Sequence, residues 1–155
     1  MTPPLLGLAS GAVAGLVAIT PAAGFVNISG AMVIGIISGF LAFFSVARFK
    51  PVLGYDDTLD VFGIHGVAGI AGALLTGIFA DPRINESGRG LVYGNSKQLL
   101  IQAIAVMVTI AYVSLVTLLI FLIIRAITGL RVLRDDELIG LDESQHGEKA
   151  YNLHI

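Results

Sequence analysis

The sequence predicts an all-α protein, a polytopic membrane helix bundle with four transmembrane helices. Of its 155 residues, 55% are hydrophobic and only 13% are charged, whereas soluble domains carry about a quarter charged residues. The charges also cluster, at 48–60, 81–97 and 125–149. Between the clusters lie uncharged apolar runs that reach the roughly 20 residues a helix needs to cross a bilayer.

Charge and cysteine content exclude several other classes of protein. The net charge of −2 gives no basic surface for nucleic acid. The chain has no cysteine, which excludes disulfides and thiolate metal sites. Its three histidines lie far apart in the sequence, so we expect no metal site and no cofactor. No nucleophile–base pair or phosphate-binding glycine loop is present, and we do not predict an enzyme.

The first predicted span, at about residues 5–26, carries small residues along one edge. Its two overlapping GxxxG units are formed by Gly7, Gly11 and Gly15. In lipid such edges let helix backbones approach closely, so we favour a packing role over a binding role for these glycines. Pro21, late in the run, is expected to end or kink the helix.

The other predicted spans cover about residues 31–49, 61–80 and 99–124. The third contains His65 and glycines at a spacing of three, which wrap around a helix and favour close packing on two sides. The fourth has 26 residues, longer than a hydrocarbon core of about 30 Å requires, so we expect tilt or a protruding end.

Four spans place both ends of the chain on one side of the membrane, with residues 1–128 as the transmembrane region and 129–155 as a tail. The side with the tail holds six basic residues, namely Arg48, Lys50, Arg125, Arg131, Arg134 and Lys149. The other side holds three, namely Arg83, Arg89 and Lys97. The positive-inside rule therefore predicts that both ends are cytoplasmic.

His65 is the most informative residue of the chain because it lies inside an apolar span. Its apolar neighbours contribute on the order of −4 kcal/mol to the free energy of membrane insertion, which is enough to carry one neutral imidazole. His65 can therefore be a structural residue that hydrogen-bonds to a neighbouring helix. Ionisable residues within spans, however, usually face a cavity or pathway. Asp60 precedes the run, about 7.5 Å from His65 if both are helical, and Val61 and Phe62 are expected to share the histidine's face. From the residues alone, both interpretations stay open.

Three segments resemble the ammonium transporter (Amt/Mep/Rh) family. The run DVFGIHGVAGIAGALLTGIFA resembles a signature helix, and GAVAGLVAITPAAGFV resembles the helix two positions earlier. The tail GLRV…DELIGLDESQHGEKAYN resembles the cytoplasmic C-terminus of the Amt branch. The resemblance implies the last four helices and tail of an eleven-helix fold with an inverted repeat, assembled as a homotrimer in the cell (plasma or inner) membrane.

The resemblance also implies a substrate, a partner and residue roles. The substrate is ammonium or ammonia, and His65 matches the second of two pore histidines that relay a proton, a task suited to imidazole. Val61 and Phe62 adjoin the pore, and Asp60 matches a structural acidic residue. The tail residues that match a docking region for PII-type nitrogen-signalling proteins are Gly129, Leu130, Arg131, Asp136, Glu137, Gly140, Leu141, Asp142, His146, Gly147, Glu148 and Tyr151.

The resemblance places the first repeat, with the partner histidine, outside this chain. Four helices are not expected to close the family's pore, so we expect a fragment of a longer product or one half of a split transporter, which does not conduct alone. A membrane-anchored regulatory module for a PII-type protein, or a non-conducting truncated product, is the alternative.

Overall fold

The computed structural model describes residues 5–148, and all regular secondary structure in this part of the chain is helical. Four helical segments are long and apolar enough to cross a membrane, namely Leu5–Ala22, Ile28–Leu53, Phe62–Phe79 and Ser96–Ile127. The predicted all-α class with four candidate membrane helices is confirmed. The chain divides between Thr109 and Ile110 into two compact units, which we describe separately.

The first segment consists of helix α1, Leu5–Ile19, and a 3₁₀ turn, Thr20–Ala22. The α-helix stops before Pro21 because a proline ring removes a backbone donor and clashes with the preceding turn. The buried residues of the segment are Ala14, Ala18 and Ala22. Alanines at a spacing of four share one helix face, so other helices can approach α1 closely along it.

The second segment begins earlier than the expected start near residue 31, because Asn27 caps it. The amide of Gly30 donates a hydrogen bond of 2.9 Å to Asn27 Oδ1, which satisfies a donor of the first turn. Helix α2, Ile28–Phe44, then passes into a π-helical turn at Ser45–Phe49. We call this the first π-turn.

Helix α3, Lys50–Leu53, follows the first π-turn directly, so the second segment extends beyond the expected end near residue 49. Gly54 stops it with a φ of +62°, a left-handed conformation that glycine adopts without steric cost.

The third segment consists of a second π-turn, Phe62–Val67, and helix α4, Ala68–Phe79. Its glycines permit close packing on two sides. A Cβ atom on Gly72 would lie 2.8 Å from the Cα of Ala18 in α1, and one on Gly77 would lie 2.9 Å from the Cα of Leu99. Bulkier residues at these positions would separate the helices.

Helix α5, Ser96–Ile127, has 32 residues, and none of them is buried. At about 1.5 Å per residue it is longer than a bilayer core of about 30 Å. In the second unit, helices α6, Arg134–Ile139, and α7, Leu141–His146, meet at Gly140. The φ of Gly140 is +105°, in a region that side chains disfavour.

Candidate functional site

His65 lies in the second π-turn, and its side chain is exposed, whereas the adjacent Ile64 and nearby Gly63 are buried. A π-helix is rare and mostly occurs as a single turn, frequently at a functional site. The residue pattern did not predict this turn. Its only signal was the low helix propensity of the two glycines, Gly63 and Gly66, that flank Ile64 and His65.

Val61 and Phe62 are exposed, at the start of the same segment. The ring of Phe62 packs edge-on against Tyr55, with 5.7 Å between the ring centroids. A Cβ on Gly66 would lie 3.1 Å from Phe62 Cδ2, so the ring covers the backbone beside His65. Phe62 therefore lies between the preceding loop and the histidine's turn.

Asp60 is not helical, so the distance to His65 expected along a helix does not apply. It adopts a φ of +56° and is the one non-glycine residue with positive φ in the described chain. Its Oδ1 accepts a hydrogen bond of 2.5 Å from Lys50 Nζ, and both side chains are about one-quarter exposed. This ion pair joins the end of the second segment to the start of the third.

Asp57 caps the first turn of the third segment, a role that the residue pattern did not predict. Its Oδ1 accepts a hydrogen bond of 2.9 Å from the Val61 amide, and its Oδ2 accepts one of 2.8 Å from the Phe62 amide. A carboxylate at a helix N-terminus satisfies free amides and opposes the helix dipole. The sequence signal was an aspartate shortly before an apolar run.

A cavity of about 330 Å³ lies beside this region. Its walls are apolar and are formed by α1, α2 and the first π-turn, with Ile64 from the third segment and Asp60 from the loop before it. Ser10 and Asp60 are the polar side chains of the lining, and His65 is not part of it. The cavity therefore brings a carboxylate, but not the imidazole, to an apolar space.

The opposite end of the helices is closed by a polar network centred on Asp81, whose side chain is 1% exposed. Its carboxylate accepts bonds from Arg83 Nη2 at 2.7 Å, from the Tyr93 hydroxyl at 2.6 Å and from Asn27 Nδ2 at 2.9 Å. The Arg83 guanidinium, followed by Tyr93 and Asn27, holds the pKa of Asp81 well below its usual range. The residue pattern did not predict this network.

The predicted tail residues lie in the second unit, except Tyr151, which is outside the described residues. Arg131 Nε donates to Glu137 Oε1 over 2.6 Å and Nη2 donates to Oε2 over 3.0 Å. The pKa of Glu137 is lowered by this pairing. Asp136 accepts bonds from Ser144 and Gln145, which connects α6 to α7.

All three predicted tail glycines adopt positive φ, and the polar positions other than Asp136 are open to solvent. Gly129, Gly140 and Gly147 have φ values of +81°, +105° and +67°. Apart from Asp136 and Gly140, which are partly buried, every described member of the predicted set is exposed. Within residues 5–148, no three His, Cys, Asp or Glu side chains are grouped to hold a metal ion.

Residues 2–151 match the family model described as the Ammonium Transporter Family. The chain is 58% identical over 151 residues to an ammonium transporter of Aquifex aeolicus and 46% identical over 150 residues to one of Bacillus subtilis. These alignments cover 97% and 96% of this chain but only 35% and 37% of the relatives. The chain thus spans about a third of the length of the curated relatives it matches.

A solved structure supports the same relationship. The crystal structure of Saccharomyces cerevisiae Mep2 superposes with a TM-score of 0.78 and 39% sequence identity, over 86% of this chain and 31% of that chain. Candida albicans Mep2 superposes with a TM-score of 0.74 and 34% identity, over 83% of this chain and 30% of that chain.

Proposed function

The chain belongs to the ammonium transporter family, and on that premise we propose that it is the C-terminal part of an Amt-branch transporter that moves ammonium or ammonia across the cell membrane. The observation that carries the proposal is that the family match extends over all four candidate spans and α6 and α7. The relatives named above are transporters rather than enzymes.

His65 is, in this proposal, one of two histidines that relay a proton along the pathway. An imidazole titrates near neutrality, and either ring nitrogen can carry the proton. Two observations support the assignment: His65 is exposed within the described chain, and it lies in a π-turn. Val61 and Phe62 are then pore-adjacent, and the partner histidine comes from a part of the transporter outside this chain.

The arrangement in the membrane follows from the same proposal. Residues 1–128 form the transmembrane region, residues 129–155 form the tail, and both ends are cytoplasmic by the count of basic residues. The transporter is a homotrimer. The long α5, which buries none of its residues, supports contact with lipid or with a neighbouring subunit.

The tail is proposed to bind a PII-type signalling protein. The bidentate Arg131–Glu137 pair and the bonds from Ser144 and Gln145 to Asp136 give it a defined shape. Its polar exposed residues suit a polar partner surface. These contacts also favour the second candidate function, in which the tail is a regulatory binding module and the spans anchor it.

Uptake of radiolabelled methylammonium tests transport. Residues 2–151 of this chain replace the matching region of the Aquifex aeolicus relative, and the chimera is expressed in cells that lack their own ammonium transporters. We expect uptake, and we expect His65→Ala to remove most of it at unchanged abundance. Glu86→Ala, at an exposed residue of the connection between α4 and α5, is the control.

Two results would contradict the proposal. Uptake that persists unchanged in His65→Ala would remove the pathway role of His65. A correctly inserted chimera without uptake would exclude transport by this chain's helices, and capture of a purified PII-type protein by the same chimera would then support the regulatory module.

A further inference from the structure

We propose that Lys50 is a positioning residue for His65. It holds together the ends of the two π-turns, and this contact fixes the direction of the His65 ring. The inference rests on the proposed function for its effect on uptake, but its structural part can be tested without transport.

Lys50 makes two hydrogen bonds to the loop before the third segment. Its Nζ donates to the carbonyl oxygen of Asp57 and to Oδ1 of Asp60, each over 2.5 Å. Lys50 and Asp60 are about one-quarter exposed, and hydrogen bonds with an ionised partner are the stronger ones. One ammonium group therefore holds two points of the loop that leads into the third segment.

The same loop is bonded to the first turn of the third segment. Lys50 bonds to the backbone carbonyl of Asp57. The carboxylate of the same residue accepts hydrogen bonds from the amides of Val61 and Phe62. Asp60 is kept in a left-handed conformation, which a non-glycine residue adopts only when its surroundings enforce it. The position of Lys50 thus determines where the third segment begins.

The two π-turns are in direct contact. A Cβ on Gly63 would lie 2.7 Å from Val46 Cγ2 and 3.4 Å from Ser45 Oγ, so the two turns touch at Gly63. The Ser45 hydroxyl is buried and has no hydrogen-bond partner among residues 5–148. Packing at Gly63 and the Lys50 contacts, rather than a bond from this hydroxyl, therefore keep the turns in register.

The register matters because His65 is two residues beyond Gly63, inside the second π-turn. A π-turn inserts one extra residue into a helix, and one residue corresponds to about 100° of rotation. If the turn shifted or returned to α-helix, the His65 ring would point in another direction. A ring in the wrong direction cannot exchange a proton with a fixed partner.

The test compares Lys50→Met with Lys50→Arg, which keeps the charge and the donors. Arg48→Met is the matched control, because Arg48 is an exposed cation in the first π-turn with no ion pair seen in the described chain. The readout is the ¹⁵N resonances of the His65 imidazole in the chain reconstituted into lipid nanodiscs, assigned with His65→Gln. Methylammonium uptake by the chimera is the second readout.

We expect Lys50→Met to move the His65 resonances and to lower uptake on the order of tenfold, since a misplacement of about 1 Å can cost a hundredfold. Lys50→Arg and Arg48→Met should each leave the His65 resonances and the uptake as they are in the parent chain. Unmoved His65 resonances in Lys50→Met would overturn the proposal. Resonances that move while every chimera lacks uptake would support positioning and contradict transport.

A second variant tests the contact between the π-turns if Lys50→Met does not insert into the membrane. Gly63→Ala separates the π-turns at their contact, and Gly39→Ala is its control because, apart from its chain neighbours and the nearby backbone of its own helix, no described atom lies within 4 Å of the added methyl group. We expect Gly63→Ala, and not Gly39→Ala, to move the His65 resonances. Identical spectra for the two variants would overturn the proposal.

Discussion

The carbonyl oxygen of Ala18 in α1 lies against Gly72 in α4, so that a side chain at position 72 would overlap it. A Cβ on Gly72 would also stand 2.8 Å from the Cα and the carbonyl carbon of Ala18. Backbone of this kind cannot move aside as a flexible side chain can. The distance between these two helices is therefore set by the absence of one methyl group.

Gly72→Ala should destabilise the helix bundle by about 1–3 kcal/mol, the usual cost of forcing an atom into a packed core. Gly35→Ala is the matched control, because, apart from its chain neighbours and the nearby backbone of its own helix, no described atom lies within 4 Å of its added methyl group. The control should be neutral or more stable by up to about 1 kcal/mol, since alanine favours a helix. Unfolding in mixed detergent micelles, followed by circular dichroism, measures both. Equal effects would contradict this account of Gly72.

Asp81→Asn should lower the midpoint of thermal unfolding, because it removes the negative charge that Arg83, Tyr93 and Asn27 surround. The asparagine amide keeps one acceptor oxygen but replaces the other with an NH2 donor, so the donors around position 81 compete for fewer acceptor sites and Arg83 loses its counter-charge. Glu86→Gln is the control, since Glu86 is an exposed carboxylate on the same connection. A midpoint that falls no further than in the control would show that the network does not stabilise the fold.

The same network predicts a dependence on pH. The pKa of Asp81 is lowered in the folded chain, whereas an unfolded aspartate titrates near about 3.9. Its contribution is therefore fully present above about pH 4 and is lost as the pH falls through that value towards the folded pKa. The difference in unfolding midpoint between the parent chain and Asp81→Asn should be constant from pH 7 to about 5 and shrink at lower pH. A difference that grows on acidification would contradict the sign of the shift.

Asp57→Ala should loosen the first turn of the third segment, because the amides of Val61 and Phe62 lose their acceptor. Loss of a helix cap costs about 0.5–2 kcal/mol, so hydrogen exchange at these two amides should become faster by about twofold to thirtyfold. Asp56→Ala is the control, since Asp56 is exposed and lies one residue away. Exchange at both amides that is as slow in Asp57→Ala as in the control would contradict the capping role.

Gly140→Ala should separate α6 from α7. The φ of Gly140 is +105°, and a side chain held in a disfavoured region costs about 1–3 kcal/mol. Arg134→Ala, an exposed change in the same unit, is the control. Limited proteolysis of the tail should be faster in Gly140→Ala only, and equal cleavage rates would show that the strain is relieved elsewhere.

The helical class and the number of candidate spans could be predicted because they depend on the length of apolar runs, which is a local property. The end of α1 before Pro21 could also be predicted from neighbouring residues alone, because a proline ring interrupts the helical turn that contains it. The start of α2 was not placed correctly. Asn27 is a typical N-cap residue, but its position between Gly24 and Gly30 is equally typical of a turn.

The polar network at Asp81 was missed because its members lie far apart in the sequence. Asn27 is 54 residues from Asp81 and 66 from Tyr93. Each of these residues alone is typical of a turn, and only the packing of the helices brings them within hydrogen-bonding distance.

The sequence by itself determined the class, the candidate spans, the family and the choice of His65, because composition and short motifs carry that information. Only the tertiary structure decided the setting of His65. The π-turn, the left-handed Asp60 and the cap from Asp57 lie where Lys50 bonds to the loop before the third segment and where Gly63 meets the first π-turn. A backbone departs from the regular α-helix where such contacts offset the cost, and contacts between distant residues arise only when the chain folds.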